Sequence, residues 1–126
     1  MTQQTILYIE DNLENRLLVK RILEVEGYKV VEAASGLAGL STAKTIQPDL
    51  ILMDINLPEL DGYELTKRLR QIKHMADVPI IAMTANVMKG DREKTLAAGC
   101  DGYIQKPIDV DELPAQVARY LQAKKK

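Results

Sequence analysis

The chain has 126 residues, 46% of them hydrophobic and 28% charged, enough to bury about two thirds of its unfolded surface in one core without disulfide or metal staples. Its formal net charge of −1 gives no general pull toward nucleic acid or anionic lipid, and its single cysteine, Cys100, excludes an internal disulfide and suits a reducing compartment. The start, MTQQTILYIED, is too short and too soon acidic for a secretory signal, and no apolar run approaches the roughly 20 residues of a membrane span, so a cytoplasmic protein with no membrane and no nucleic-acid partner is expected.

The first apolar run predicts a strand over 6–9, which stops at two acids, Glu10 and Asp11. A helix is predicted over 13–26, with Leu13, Leu17, Leu18, Ile22 and Val25 as its core-facing stripe and Gly27 as its stop. A strand of mixed polarity follows over 29–33, then a helix over 36–46. The third strand, over 50–53, is wholly apolar and runs straight into Asp54. An ionised acid there is costly to desolvate unless something pairs with it. Asp61 and Gly62 form a turn that opens a helix over 62–73. The fourth strand, over 79–83, ends at Thr84. A helix over 88–98 then stops at Gly99, and a short strand over 102–105 ends at Lys106 and Pro107. The last helix is predicted over 110–123, with Val110, Leu113, Val117 and Leu121 on its stripe. Pro114 requires that helix to begin near Asp111 or to open irregularly. Five strands alternating with five helices make an α/β domain over residues 1–126, its core about 4–122: a doubly wound (βα)5 unit with a parallel five-stranded sheet. The Lys-rich end, 124–126, is expected to be a solvated tail.

In open α/β sheets, ligands bind beyond the carboxyl ends of the strands. Here those ends carry Glu10, Asp11, Asp54, Thr84 and Lys106. Clustered carboxylates repel one another unless a cation joins them, and three acids suit a hard divalent ion such as Mg²⁺ (or Mn²⁺) with oxygen ligands. With a metal present, Asp54 can act as a nucleophile toward a phosphoryl group. Thr84 as donor and Lys106 as point charge would hold the other phosphoryl oxygens. The backbone carbonyl of Asn56 is a further candidate metal ligand, since its side chain would point away from the sheet edge.

The acids in YIEDN, the acceptor in LILMDINLPELDG, the hydroxyl in IIAMTAN and the lysine in YIQKPI resemble the receiver domain of two-component response regulators, which is CheY-like in fold. VMKGDREKTLAAGCDGYIQKPI and EDNLENRLLVKRIL look further like single-domain regulators of the DivK type and the receivers of hybrid kinases. The resemblance implies a phosphoacceptor switch in phosphorelay signal transduction, one that catalyses its own Mg²⁺-dependent phosphotransfer and dephosphorylation. The phosphoryl group would pass to Asp54 from a histidine kinase or histidine phosphotransfer protein. It implies that Thr84 moves toward the phosphoryl group while Tyr103 rotates inward, and that a downstream protein binds through the fourth helix, fifth strand and fifth helix. A cis Lys106–Pro107 peptide, water access past Asn56 and Asn86, and a monomer or weak dimer are implied as well. Met1 and the Lys-rich end point to a stand-alone product.

Each residue alone has a plainer explanation. Glu10 and Asp11 could simply favour a helix start, Asp54 could be a turn residue, Thr84 and Lys106 could be solvated strand ends, and Tyr103 could be half-buried packing. Five such coincidences at strand ends in one chain argue for the site. His74, the only histidine, sits in a polar stretch and is read as surface loop. Cys100 is read as a buried filler, Met53 and Met83 as core, Met75 and Met88 as loop-like, with Met88 and Val87 available to a partner. An aspartate-nucleophile phosphatase of the haloacid dehalogenase kind would need an aspartate two residues past the nucleophile, where Asn56 stands. A nucleotide-binding module lacks its Gly-rich loop. An inert docking domain would not need the intact acid set.

Overall fold

The computed structural model describes residues 3–58, 60–85 and 91–124 and, within them, all side chains except those at 91, 92, 123 and 124. The elements run β1 (Thr5–Ile9), α1 (Leu13–Val25), β2 (Lys29–Ala33), α2 (Gly36–Ala43), β3 (Leu50–Asp54), α3 (Gly62–Gln71), a 3₁₀ helix (Lys73–Met75), β4 (Ile80–Thr84), α4 (Asp91–Ala97), β5 (Gly102–Gln105) and α5 (Leu113–Lys124). The strands form one sheet in the order β2-β1-β3-β4-β5, every pair parallel. Strand alternation sorts the side chains into two cores. Leu7, Ile9, Ile51, Met53, Ile80 and Ala82 pack with Leu65 and Leu69 of α3. Ile6, Tyr8, Leu50, Leu52, Ile81 and Met83 pack with Val19 and Leu23 of α1 and with Leu113, Val117 and Leu121 of α5. Both faces are buried, which is why the central strands read as unbroken apolar runs.

Helix starts are fixed by side-chain caps placed just after strand ends. Asn12, Ser35 and Asp61 each accept a hydrogen bond from the backbone three residues on, satisfying amides that the first turn leaves unpaired. Gly27 and Gly99, at φ 96° and 109°, end α1 and α4 in the left-handed region where glycine carries no steric penalty. Asp109 opens α5: its carboxylate accepts from the amides of Asp111 and Glu112, and its carbonyl from Leu113. Pro114 therefore falls in the first turn, and the helix opens through a turn as its position required.

The α1 stripe is different from its sequence pattern. Leu13, Leu17, Leu18 and Val25 are exposed, Leu17 by 54% and Val25 by 79%, while Val19 and Leu23 are fully buried and Ile22 is partly so. The leucines outnumber the true core residues, so the apolar period picked the wrong face. Val110 likewise stands exposed ahead of α5. Met75 is fully buried, because the 3₁₀ turn after α3 folds it under the sheet, and His74 does not lie in a free loop: its Nε2 is 2.8 Å from the Ala43 carbonyl and 3.1 Å from that of Ile46, at the end of α2. Helices α2 and α3 stop short of 46 and 73, and β4 begins at Ile80 with Pro79 outside it. The stretch 88–90 of the predicted fourth helix, with Val87 and Met88, lies outside the described residues.

Truncating Leu23 should therefore cost far more than truncating Leu17. Leu23→Ala is expected to lower stability by about 2–5 kcal/mol, and Leu17→Ala by no more than about 0.5 kcal/mol, as read from urea unfolding midpoints. Equal losses would put Leu17 in the core.

Candidate functional site

The order of strands places a change of winding direction between β1 and β3, the position where doubly wound sheets open a crevice. Ile9 and Met53 are in register across these two central strands, so the next residues along, Glu10 and Asp54, leave the sheet side by side. The loop from β1 to α1 is only residues 10–12, and Asn12 already caps the helix by accepting from the Asn15 amide at 2.9 Å. Glu10 and Asp11 are thus not needed as caps. Carboxylate oxygens of Glu10, Asp11 and Asp54 lie within 4.8 Å of one another, Glu10 and Asp54 buried and Asp11 exposed.

On the other side of β3, Thr84 finishes β4 and is buried. Its carbonyl accepts from the Lys106 amide at 2.7 Å, just past the end of β5, and the Lys106–Pro107 peptide is cis. The Lys106 ammonium donates to Glu10 Oε1 at 2.9 Å and stands 3.3 Å from Asp54 Oδ2. Asp54 Oδ1 accepts from the Asn56 amide at 3.0 Å. One lysine therefore joins the acid pair to the third acid. Tyr103 is half-buried and packs on the α3 side of the sheet, opposite Ala82, so it shares a face with Thr84 two residues further along β4.

Among the described residues, three acids face one ammonium, which leaves that set short of positive charge. Burial, and next the contact with Asp54, push the Glu10 carboxyl above its ordinary pKa, with Lys106 pulling the other way. Burial works against the Lys106 charge, but the hydrogen bond to Glu10 and the Asp54 charge outweigh it and hold the ammonium above its ordinary pKa. The donor set consists of oxygens only, with excess negative charge in a partly dry site, and so fits a hard divalent cation.

Sequence reasoning placed Glu10, Asp11, Asp54, Thr84 and Lys106 at one edge, where the structure brings them together. Asn86 lies outside the described residues. Tyr8 was missed: fully buried, it donates its hydroxyl to Glu10 Oε1 at 3.3 Å. Burial, then the Glu10 charge, raise its pKa far above the phenol range, so it remains a neutral donor. Two residues apart on a strand means one face, so the pair was readable in YIE. Arg70 was also missed. Its guanidinium donates to the carbonyls of Met75, Ala76, Val78 and Gly99 and pairs with Asp101 at 2.6 Å, tying α3 to the turns around it at the end of the sheet away from the acids.

The family model for the response regulator receiver domain matches residues 6–118. The chain is 42% identical over 118 residues to the polar-differentiation response regulator DivK of Brucella ovis, covering 94% of this chain and 96% of that one. Among solved structures it is similar to the receiver domain of a sensor histidine kinase from Pseudomonas aeruginosa PAO1, which holds a magnesium ion coordinated in the active site cleft; identity is 40%, TM-score 0.88, and coverage 96% of this chain and 99% of that one. The chemotaxis response regulator CheY4 of Vibrio cholerae superposes with TM-score 0.91 at 28% identity, covering 94% and 99%.

A carboxyl whose pKa is raised on folding binds its proton more tightly in the folded than in the unfolded chain, so it favours folding as pH falls and opposes it as pH rises. Lys106, raised above 10.5, contributes no slope near neutrality. Without metal, stability should climb as pH drops from 7 toward the ordinary glutamate value of 4.5. Glu10→Gln should flatten that climb and raise the metal-free melting midpoint at pH 7 by roughly 2–5 °C. Thermal melts in chelator across this pH range are the check, and an unchanged slope in the variant would assign it elsewhere.

Proposed function

This chain belongs to the response regulator receiver domain family, which serves phosphorelay signalling through aspartate phosphorylation, and we propose that Asp54 is its phosphoryl acceptor. The observation that carries the assignment is the Lys106 ammonium set between Glu10 and Asp54, at 2.9 and 3.3 Å. That arrangement gives Asp54 a cation at hand and two further acids beside it.

Glu10, Asp11, Asp54 and the Asn56 carbonyl would hold Mg²⁺ (or Mn²⁺), which when bound supplies positive charge for the transferring oxygens. The chain's own residues do the rest. An Asp54 oxygen bonds to phosphorus as the phosphorus–nitrogen bond of a donor phosphohistidine breaks, the bonding pair leaving with the imidazole. The Asn56 amide fixes Oδ1 and so orients the carboxylate. Lys106 exchanges its Asp54 contact for a phosphoryl oxygen, and the Thr84 hydroxyl donates to another. Thr84 and Tyr103, sharing one face, are the moving parts of the switch; their shift would be read by a downstream protein on α4, β5 and α5. The receiver resemblance implies a role for Asn56 and Asn86 in water access, of which only Asn56 lies among the described residues. An amide can orient water but cannot take its proton, so self-dephosphorylation proceeds at an intermediate pace.

The donor is a protein, a histidine kinase or a histidine phosphotransfer protein. A groove of about 440 Å³ lined by Asn15, Leu18, Ala85, Lys106, Pro107 and Ile108 adjoins the acids and gives such a partner an apolar foothold beside the phosphoryl path. Nucleic acid and membrane are not partners in this reading; no helix among the described residues is long and apolar enough to cross a membrane. In this reading residues 1–126 form one receiver domain that acts in the cytoplasm, monomeric or weakly dimeric, as a switch that catalyses its own phosphotransfer without turning over a separate substrate.

Asp54→Asn should accept no label from a phosphohistidine donor in Mg²⁺, while its far-ultraviolet dichroism and urea midpoint stay within about 1 kcal/mol of the parent, since the amide keeps the carboxylate's shape. Label incorporated at the parent's rate would move the acceptor to another residue.

A further inference from the structure

Beyond the last ladder pairing of β1, the chain passes through Glu10 and Asp11 before α1 begins. The carbonyls of those two residues are met by a side chain from the first turn of that helix. Arg16 Nη1 donates to the Glu10 carbonyl at 2.9 Å and to the Asp11 carbonyl at 3.3 Å. Its Nε is 3.7 Å from Glu32 Oε1 on β2, and Glu32 in turn takes the Lys20 ammonium at 3.4 Å. The Arg16 side chain is only 16% exposed, so the guanidinium is wedged between β2 and the loop.

We infer that Arg16 is a positioning residue for the Glu10–Asp11 pair, with Glu32 as its anchor; this rests on reading that pair as the metal-holding acids. Arg16 touches neither a carboxylate of the pair nor a metal. It holds the peptide groups from which both carboxylates project, and a planar guanidinium suits that task because it presents several donors in fixed directions. Partners one step removed from the ligands orient them, and their loss costs metal affinity even where the ligands remain.

A rival role for Arg16 makes the opposite prediction. If it only damps the repulsion among the acids by its charge, removing it raises the negative potential and tightens cation binding. Mg²⁺ binding is measured by calorimetry on the full chain for the parent, Arg16→Met, Arg16→Lys, Glu32→Gln and Asp11→Asn. Backbone amide shifts of Asp11 and Asn12 are recorded in metal-free protein as an independent readout. Arg16→Met should weaken Mg²⁺ binding about tenfold and move both amides. Arg16→Lys should recover only part of the loss, since one ammonium cannot span two carbonyls and Glu32. Glu32→Gln should weaken binding by about two- to threefold. If Arg16→Met binds Mg²⁺ as tightly as the parent or tighter, the inference is overturned. Should Arg16→Met fail to fold, parent-like binding in both Arg16→Lys and Glu32→Gln overturns it. Loss of binding in Asp11→Asn alone would sink the positioning role and leave the acid site standing, whereas a parent that binds no Mg²⁺ would sink both.

Discussion

Among the described residues, one ammonium faces three carboxylates, and the rest of the site depends on that balance. Lys106 reaches Glu10 and Asp54 but cannot balance both of them and Asp11, and two of those acids are buried, where unpaired charge is most costly. The site is consequently incomplete in a definite direction: it is short of positive charge and rich in oxygen donors. Under the proposed reading a divalent cation would relieve that deficit, and a phosphoryl group on Asp54 would change it again by adding negative charge where Lys106 and Thr84 could respond. Metal, phosphate and conformation would then be coupled through this imbalance.

The fold exists to hold that imbalance open. β1, β3, β4 and β5 lie in one parallel sheet, so the carboxyl ends of four strands deliver side chains to a common edge. The apolar runs that make the strands indifferent to solvent on both faces also make the edge rigid. Asn12 as helix cap fixes the length of the loop that carries Glu10 and Asp11, and Tyr8, reaching up from the core, gives Glu10 a third donor. Arg70 does comparable work at the opposite end, gathering the carbonyls of Met75, Ala76, Val78 and Gly99.

The site was legible in the sequence because its chemistry sits at boundaries that are themselves legible. Asp54 ends an unbroken apolar run, and Glu10, Thr84 and Lys106 end runs of their own, so strand ends and site residues are found by one reading. What failed was a judgement of facing. Of the predicted stripe only Ile22 packs on the core; Leu13, Leu17, Leu18 and Val25 are as apolar as the buried Val19 and Leu23, and hydrophobicity alone cannot tell a core face from an exposed one. Met75 and His74 were misjudged for a related reason, since a single 3₁₀ turn reverses what a polar neighbourhood suggests. Arg70 gave no signal, because its partners are mostly backbone carbonyls, which leave no mark in the sequence.

The misread helix shows how α1 divides its surface. Its inner face, through Val19 and Leu23, anchors it to the sheet. Asn12 caps its first turn, and Arg16 from that turn donates to the carbonyls of Glu10 and Asp11. Its outer face presents leucines beside the groove that runs from Leu18 to Lys106 and Pro107. A partner that covered those leucines would meet, within the same footprint, the helix whose N-terminal end sets the acid pair. On that proposal docking and site geometry would share one element, and the leucines that α1 leaves exposed are the surface such a partner would cover.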